Sequence, residues 1–208
     1  MANKVNVEYL IKNVRFSYLY CFEPYRDRES GKESFSSHGI ITPDHVQFPE
    51  IVGILKKIAQ DFWGDSWQEV WAEMKVKNKI CLKPGAAKGN IEGYKDNYFI
   101  SANKKTRFSV VETRNGVNVQ LTAADGRPRS GDYGNMKVAF YPMKHPKGGN
   151  MINADLQGIQ YVRKGAPLGG GGRVAAVEEF GIEPSDADSA APAAAGSGAV
   201  ASVDDLLG

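Results

Sequence analysis

Cysteine and histidine are scarce in this chain, and the few present are poorly placed for chemistry. Cys21 and Cys81 stand alone without CxxC spacing, so neither a zinc ribbon nor a disulfide framework has support, and a reducing compartment is expected. His38, His45 and His145 are scattered, and no HExxH occurs; no metal site and no cofactor is expected. No Ser or Cys lies in a nucleophile motif. The glycine run Gly169 to Gly172 lacks a following Lys-Ser or Lys-Thr, which excludes a phosphate loop. Long apolar runs are missing too: none approaches the roughly 18 residues that cross a bilayer, and MANKVNVEYL lacks the apolar stretch of a signal peptide. A protein without membrane contact, held inside the cell, is expected.

A further absence divides the chain. Beyond Arg173 there is no Lys or Arg, and 189–202 is almost wholly Ala, Gly, Ser, Pro and Val. Such a segment buries too little apolar surface to offset the entropy of ordering it. The expectation is one domain over 1–173 and a flexible acidic tail over 174–208. All 26 bases and 17 of the 24 acids fall in the body, giving it +9 and the tail −7. The near-neutral total of +2 thus hides a cationic body joined to a polyanion, a split that points to a polyanionic partner or to an acidic tail that mimics one.

What is present alternates. Val5, Val7, Tyr9 and Ile11 are apolar at odd positions, and Val14, Phe16, Tyr18, Tyr20 and Phe22 at even ones. Period two marks a half-buried strand, and the change of phase predicts a bulge near Lys12 and Asn13. A second strand is expected over 34–41. Ile51, Ile54, Leu55, Ile58 and Phe62 recur at helical steps after Pro49, predicting a helix that Gly64 breaks. Asp65 and Gln68 are then placed to cap a second helix with Trp67, Val70, Trp71 and Met74 inward; Trp63, Trp67 and Trp71 read as core. Further strands are expected over 79–82, 96–102, 108–112, 117–122, 137–142 and 155–163, with Asn115-Gly116 as the strongest hairpin signal. Many short strands with one helical insert favour a mainly β fold, an OB-like five-stranded Greek-key barrel with added strands.

Bases and aromatics interleave through the middle of the chain. Lys83 and Lys88 precede Tyr94, Lys95 and Tyr98; Lys104, Lys105 and Arg107 precede Phe108; Arg127 and Arg129 precede Tyr133. Recognition of single strands needs cations that follow phosphates and flat side chains on which bases stack. These residues, Phe108 excepted, are therefore the candidate DNA-binding set, with Tyr98 preferred over Phe99 as a stacking platform. The segment Val203-Asp204-Asp205-Leu206-Leu207-Gly208 sets two acids beside apolar residues, so Asp204, Asp205, Leu206 and Leu207 are the candidate partner-binding tail.

Four segments carry a resemblance: Val14-Arg15-Phe16-Ser17-Tyr18; Tyr98-Phe99-Ile100-Ser101-Ala102-Asn103 followed by Arg107; Ser130-Gly131-Asp132-Tyr133; and Gly158 to Gly171, GIQYVRKGAPLGGG. Over most of residues 12–172 the chain resembles the OB-fold single-stranded-DNA-binding proteins of tailed bacteriophages. The resemblance implies a non-enzymatic protein that coats single strands in replication or recombination within an infected bacterial cell, with a tail that contacts replication proteins. Phe108 stands where many relatives have Pro, and the tail ends in Leu-Leu-Gly rather than on an aromatic residue. Three other readings stay open at this point: an annealing protein that also grips duplex DNA, a virion structural protein, and a metal-dependent nuclease using Asp65, Glu69 and Glu73. Self-association is compatible with all of them.

Overall fold

A computed structural model describes residues 5–168; the expected tail, with Asp204, Asp205, Leu206 and Leu207, lies outside the described residues. Eight strands and two helices follow in the order β1 (Val7–Arg26), β2 (Glu33–Ile41), α1 (Phe48–Trp63), α2 (Trp67–Val76), β3 (Leu82–Pro84), β4 (Tyr98–Lys104), β5 (Ser109–Arg114), β6 (Val117–Gln120), β7 (Tyr133–His145) and β8 (Gly149–Arg163). The sheet order is β3-β4-β2-β1-β7-β8-β5-β6, and β4 also pairs with β8 in parallel at Ala102↔Ala154 and Asn103↔Asp155. That last pairing closes β1, β2, β4, β8 and β7 into a five-stranded barrel. β3 extends the sheet from β4, and the β5–β6 hairpin extends it from β8.

β1 is long enough to pair with β2 on one side and β7 on the other because bulges bend it. The first lies between Ile11 and Val14, with Asn13 at φ 52°, at the predicted change of phase. His45 and Gln47 hold this bulge: His45 Nε2 lies 2.9 Å from the Lys12 carbonyl, and Gln47 Oε1 accepts from the Lys12 amide at 2.7 Å. A second bulge, absent from the sequence reading, lies between Ser17 and Tyr20, with Tyr18 at φ 46°. It flips the phase again, so Leu19 and Cys21 turn to the core and Tyr18 and Tyr20 turn outward.

Inside the barrel Ile11, Val14, Phe16, Ile100, Met136, Val138, Phe140 and Leu156 are buried together. α1 covers one end with Ile51, Leu55, Ile58 and Ala59, the stripe that its three- and four-residue spacing predicts. It stops at Gly64, whose φ is 54°. The expected Asp65–Gln68 cap does not form. Gly64–Ser66 is a 3-10 turn leading straight into α2, whose cap residue is Ser66 without a side-chain cap bond. Ser66 sits at φ −86° and ψ 2° rather than in the extended conformation of a capping residue, and its hydroxyl donates back to the Trp63 carbonyl at 3.0 Å instead of capping the next turn. Trp63, Trp67 and Trp71 pack against the core, and Trp63 Nε1 donates to Asn150 Oδ1 at 3.1 Å. Asn115 (φ 49°) and Gly116 (φ 78°) form the predicted hairpin between β5 and β6.

Candidate nucleic-acid interface

The cross-strand register decides which side chains look out of the barrel, because directly paired residues share a face. Phe16, Gly39 and Ile100 point inward. On the outer face of β1, β2 and β4, Arg15 pairs with Ile40 and Ile40 with Phe99, while Ser17 pairs with His38 and His38 with Ser101. Further along, Tyr20 pairs with Ser36 and Ser36 with Asn103. β3 brings Lys83 alongside Phe99.

Half of this face is already covered. The segment between β3 and β4 folds across it and inserts Tyr94, which is fully buried with Ile40, Phe99 and Leu168. The fold-back needs a glycine at its root: a Cβ on Gly85 would sit 1.8 Å from the Tyr94 carbonyl oxygen. The Tyr94 hydroxyl lies 2.7 Å from His38 Nδ1, and the His38 ring stacks on Phe99 at 4.8 Å. Burial, then the nearby Lys88 and Lys83 charges, push the His38 pKa down to about 3, and burial pushes the Tyr94 phenol up to about 12. Both groups are therefore neutral at physiological pH, and His38 is a flat uncharged ring.

The uncovered half carries the aromatics. Tyr18, Tyr20 and Tyr25 are each 36–41% exposed. The Tyr18 ring lies 5.0 Å from that of His38, and Tyr20 lies 5.1 Å from Tyr25. Lys88 Nζ sits 4.5 Å above Tyr18, within cation–π range. Burial holds the Lys88 and Lys83 ammonium groups below the usual lysine range. A polar cleft of about 250 Å³ adjoins this surface, lined by Lys79, Lys83, Ser101, Asn103 and Asn153 among others. Three outward tyrosines, a neutral imidazole and a row of lysines therefore share one side of the barrel.

The structure distributes the candidate residues unevenly. Lys83 and Lys88 belong to this surface. Tyr94 does not offer a ring to a ligand, because it is the plug of the covering loop. Tyr98 lies on the other side of β4: its ring packs 4.7 Å from Phe48 of α1. Lys95 is exposed on the covering loop, and Lys105 and Arg107 are exposed between β4 and β5. Lys104 pairs with Asp155 at 2.7 Å. Arg127 is committed to Glu112, at 2.8 Å from Nε, and the Arg127 hydrogen bond, opposed by burial and aided by Arg114, holds that carboxyl down at about 2. Arg129 is exposed, its Nε donating to the Gly126 carbonyl at 2.7 Å. Tyr133 lies beneath the Arg163 guanidinium at 3.5 Å. Even-phase alternation reads Tyr18 and Tyr20 as core, and Tyr25 lies beyond that run; the hydroxyls of Tyr18 and Tyr20, against Phe16 and Phe22 on the same run, were the available signal.

Asp65, Glu69 and Glu73 do not converge. Glu73 pairs with Lys77 at 2.6 Å, and among the described residues no three His, Cys, Asp or Glu side chains gather into a metal-sized cluster. No described helix is long and apolar enough to cross a membrane.

The two most recognisable sequence segments form a clasp at the edge of this surface. Ser130-Gly131-Asp132 crosses 165–168 so closely that a Cβ on Gly131, at φ 106°, would lie 2.1 Å from the Ala166 carbonyl oxygen. Asp132 accepts from the amides of Arg129 at 2.8 Å and Gly165 at 3.0 Å. Arg15 donates to the Gly131 and Ala166 carbonyls. Leu168 then closes over Ile40, Tyr94 and Phe99.

The chain is similar to several known proteins. Residues 7–190 match the family described as "Enterobacter phage Enc34, ssDNA-binding protein". "Putative protein p50" of Acyrthosiphon pisum secondary endosymbiont phage 1 is 33% identical over 173 residues, covering 82% of this chain and 90% of that protein. Among solved structures, the single-stranded DNA-binding protein of bacteriophage Enc34 in complex with ssDNA has a TM-score of 0.57 at 19% identity, covering 78% of this chain and 89% of that one. Gp2.5, a single-stranded DNA binding protein encoded by bacteriophage T7, has a TM-score of 0.50 at 13% identity, covering 87% and 100%. The structural likenesses establish the fold. The family match and the phage relative establish descent, and the chain belongs to the phage single-stranded-DNA-binding protein family represented by that of Enterobacter phage Enc34.

Proposed function

We propose that this protein coats single-stranded DNA in phage replication or recombination by laying the strand along the outer face of β1, β2 and β4, and that it acts without catalysis. The observation that carries the reading is the run of exposed Tyr18, Tyr20 and Tyr25 beside His38, Lys83 and Lys88. Unpaired bases stack on such rings for about 1–3 kcal/mol each, whereas paired bases keep their faces buried in the duplex. Single strands are therefore preferred over duplex. The β-surface offers no helix or ribbon to enter a major groove, so sequence preference is slight. Lys95, Lys105, Arg107 and Arg129 extend the cationic track, and the seven acids after Arg173 compete with DNA for it at low salt and serve replication partners.

Fluorescence titration of oligo-dT against duplex of equal length, with magnesium present, tests the proposal. Tight oligo-dT binding, weaker duplex binding and uncut DNA are expected. Comparable affinity for both forms would instead favour annealing, and cleavage products would favour a nuclease.

A further inference from the structure

A second concave surface is left over once the tyrosine face is assigned. Between the α1–α2 pair and β3–β4 lies an open groove of about 450 Å³, within the range of ligand-sized pockets. None of the residues of the Tyr18 surface lines it. Its floor is apolar, made by Leu55, Trp71, Met74 and Ile80, and its lining includes two exposed lysines, Lys56 and Lys75, but no carboxylate. The neighbouring lysines on the same helices are neutralised locally, Lys57 by Asp61 at 3.1 Å and Lys77 by Glu73 at 2.6 Å. Among the described residues Lys56 and Lys75 have no such partner. The groove therefore combines an apolar floor with two uncompensated positive charges.

We infer that this groove receives the segment Val203-Asp204-Asp205-Leu206-Leu207 of a second copy of the chain. The chemistry is complementary: Leu206 and Leu207 suit the floor, and Asp204 and Asp205 suit Lys56 and Lys75. A groove on one copy that takes a segment of another is a heterologous contact, which extends into open rows wherever two copies do not exchange segments and close. Resting on the reading that the protein coats a strand, such a contact links neighbours along it. Tethered neighbours reach millimolar effective concentrations, so a weak contact suffices.

The test needs no DNA, so its failure is distinguishable from failure of the DNA-binding reading. A fluorescein-labelled peptide spanning residues 199–208 is titrated into full-length protein carrying Leu206→Ser and Leu207→Ser, which removes competition from its own segment. Saturable binding at about 10–100 μM is expected. Adding Lys56→Glu and Lys75→Glu, both on exposed side chains, should weaken it about tenfold or more, and the peptide with both leucines changed to Ser should not bind. Oligo-dT should leave the peptide bound. The unaltered protein should gain mass with concentration in sedimentation, and the Leu206→Ser/Leu207→Ser variant should not. Absence of binding, indifference to the lysine reversals, displacement by oligo-dT, or a wild-type protein that stays monomeric up to about 200 μM would each overturn the inference.

Discussion

His38 makes the protein acid-sensitive in a way that can be calculated. In the unfolded chain an imidazole takes up a proton near pH 6.5; in the folded protein burial and two lysines delay this to about pH 3. Between these limits the unfolded state binds more protons, so stability falls as pH falls, beginning near 6.5 and ending near 3. At about 1.36 kcal/mol per unit, going from pH 7.5 to 5.0 removes about 2 kcal/mol through this one residue, a substantial part of a typical domain's stability. His38→Asn retains an amide that reaches towards the Tyr94 hydroxyl and has no proton to take up. Urea denaturation of both proteins at several pH values between 5.0 and 7.5 isolates the effect, since all other titrating groups are shared. The wild type should lose about 2 kcal/mol more than the variant across that range. Parallel stability curves would show that His38 titrates alike in both states, and would refute the burial argument. Because His38 stays neutral, acidification over this range should add no His38 charge contact to DNA, and His38→Asn should leave the pH dependence of oligo-dT affinity unchanged.

Three further expectations concern the site and its supports. Tyr18→Ala and Tyr20→Ala should each weaken oligo-dT binding by about 5- to 150-fold while leaving its salt dependence nearly unaltered, as titrations across a salt series would show. Lys83→Ala with Lys88→Ala should flatten the slope of log affinity on log salt by up to about 1.4, at 0.7 per phosphate contact; an unchanged slope would remove these lysines from the track. Gly131→Ala should destabilise the fold by about 2 kcal/mol or more, because the methyl group meets the Ala166 carbonyl oxygen at 2.1 Å on a positive-φ backbone. Thermal denaturation checks this against Gly116→Ala, where nothing lies within 4 Å and only the φ is strained.

Local chemistry was legible where a single element decides the outcome. The bulge at Lys12–Asn13 follows from two alternating runs out of phase, the stripe of α1 from its spacing, and the Asn115-Gly116 turn from its tolerance of positive φ. The Tyr18 bulge was not legible, since apolar residues at 14, 16, 18, 20 and 22 read as one uninterrupted face. Only the pairing of Ser17 and Tyr20 with β2 reveals the extra residue. Burial of Tyr94 depends on a loop folding onto another strand, and Arg127 is tied to Glu112, a residue on a different element. Such pairings are tertiary choices, and a list of bases near aromatics does not contain them. β8 begins at Gly149, well before the expected 155, because β7 supplies a partner for each residue of Asn150–Asn153.

The wiring of β1 bears on when this protein can work during its synthesis. Val7 pairs with Phe140 and Arg15 with Tyr133, and the seam that closes the barrel joins Ala102 to Ala154. Hence β1 leaves the ribosome long before β7, and its second edge waits for that strand. Such distant partners make folding slow and leave β1 with an open edge in the meantime. A nascent chain that has exposed Tyr18, Tyr20 and Tyr25 but not β8 has the rings without the frame that aligns them, so DNA binding should switch on late in translation, after residue 163 has emerged.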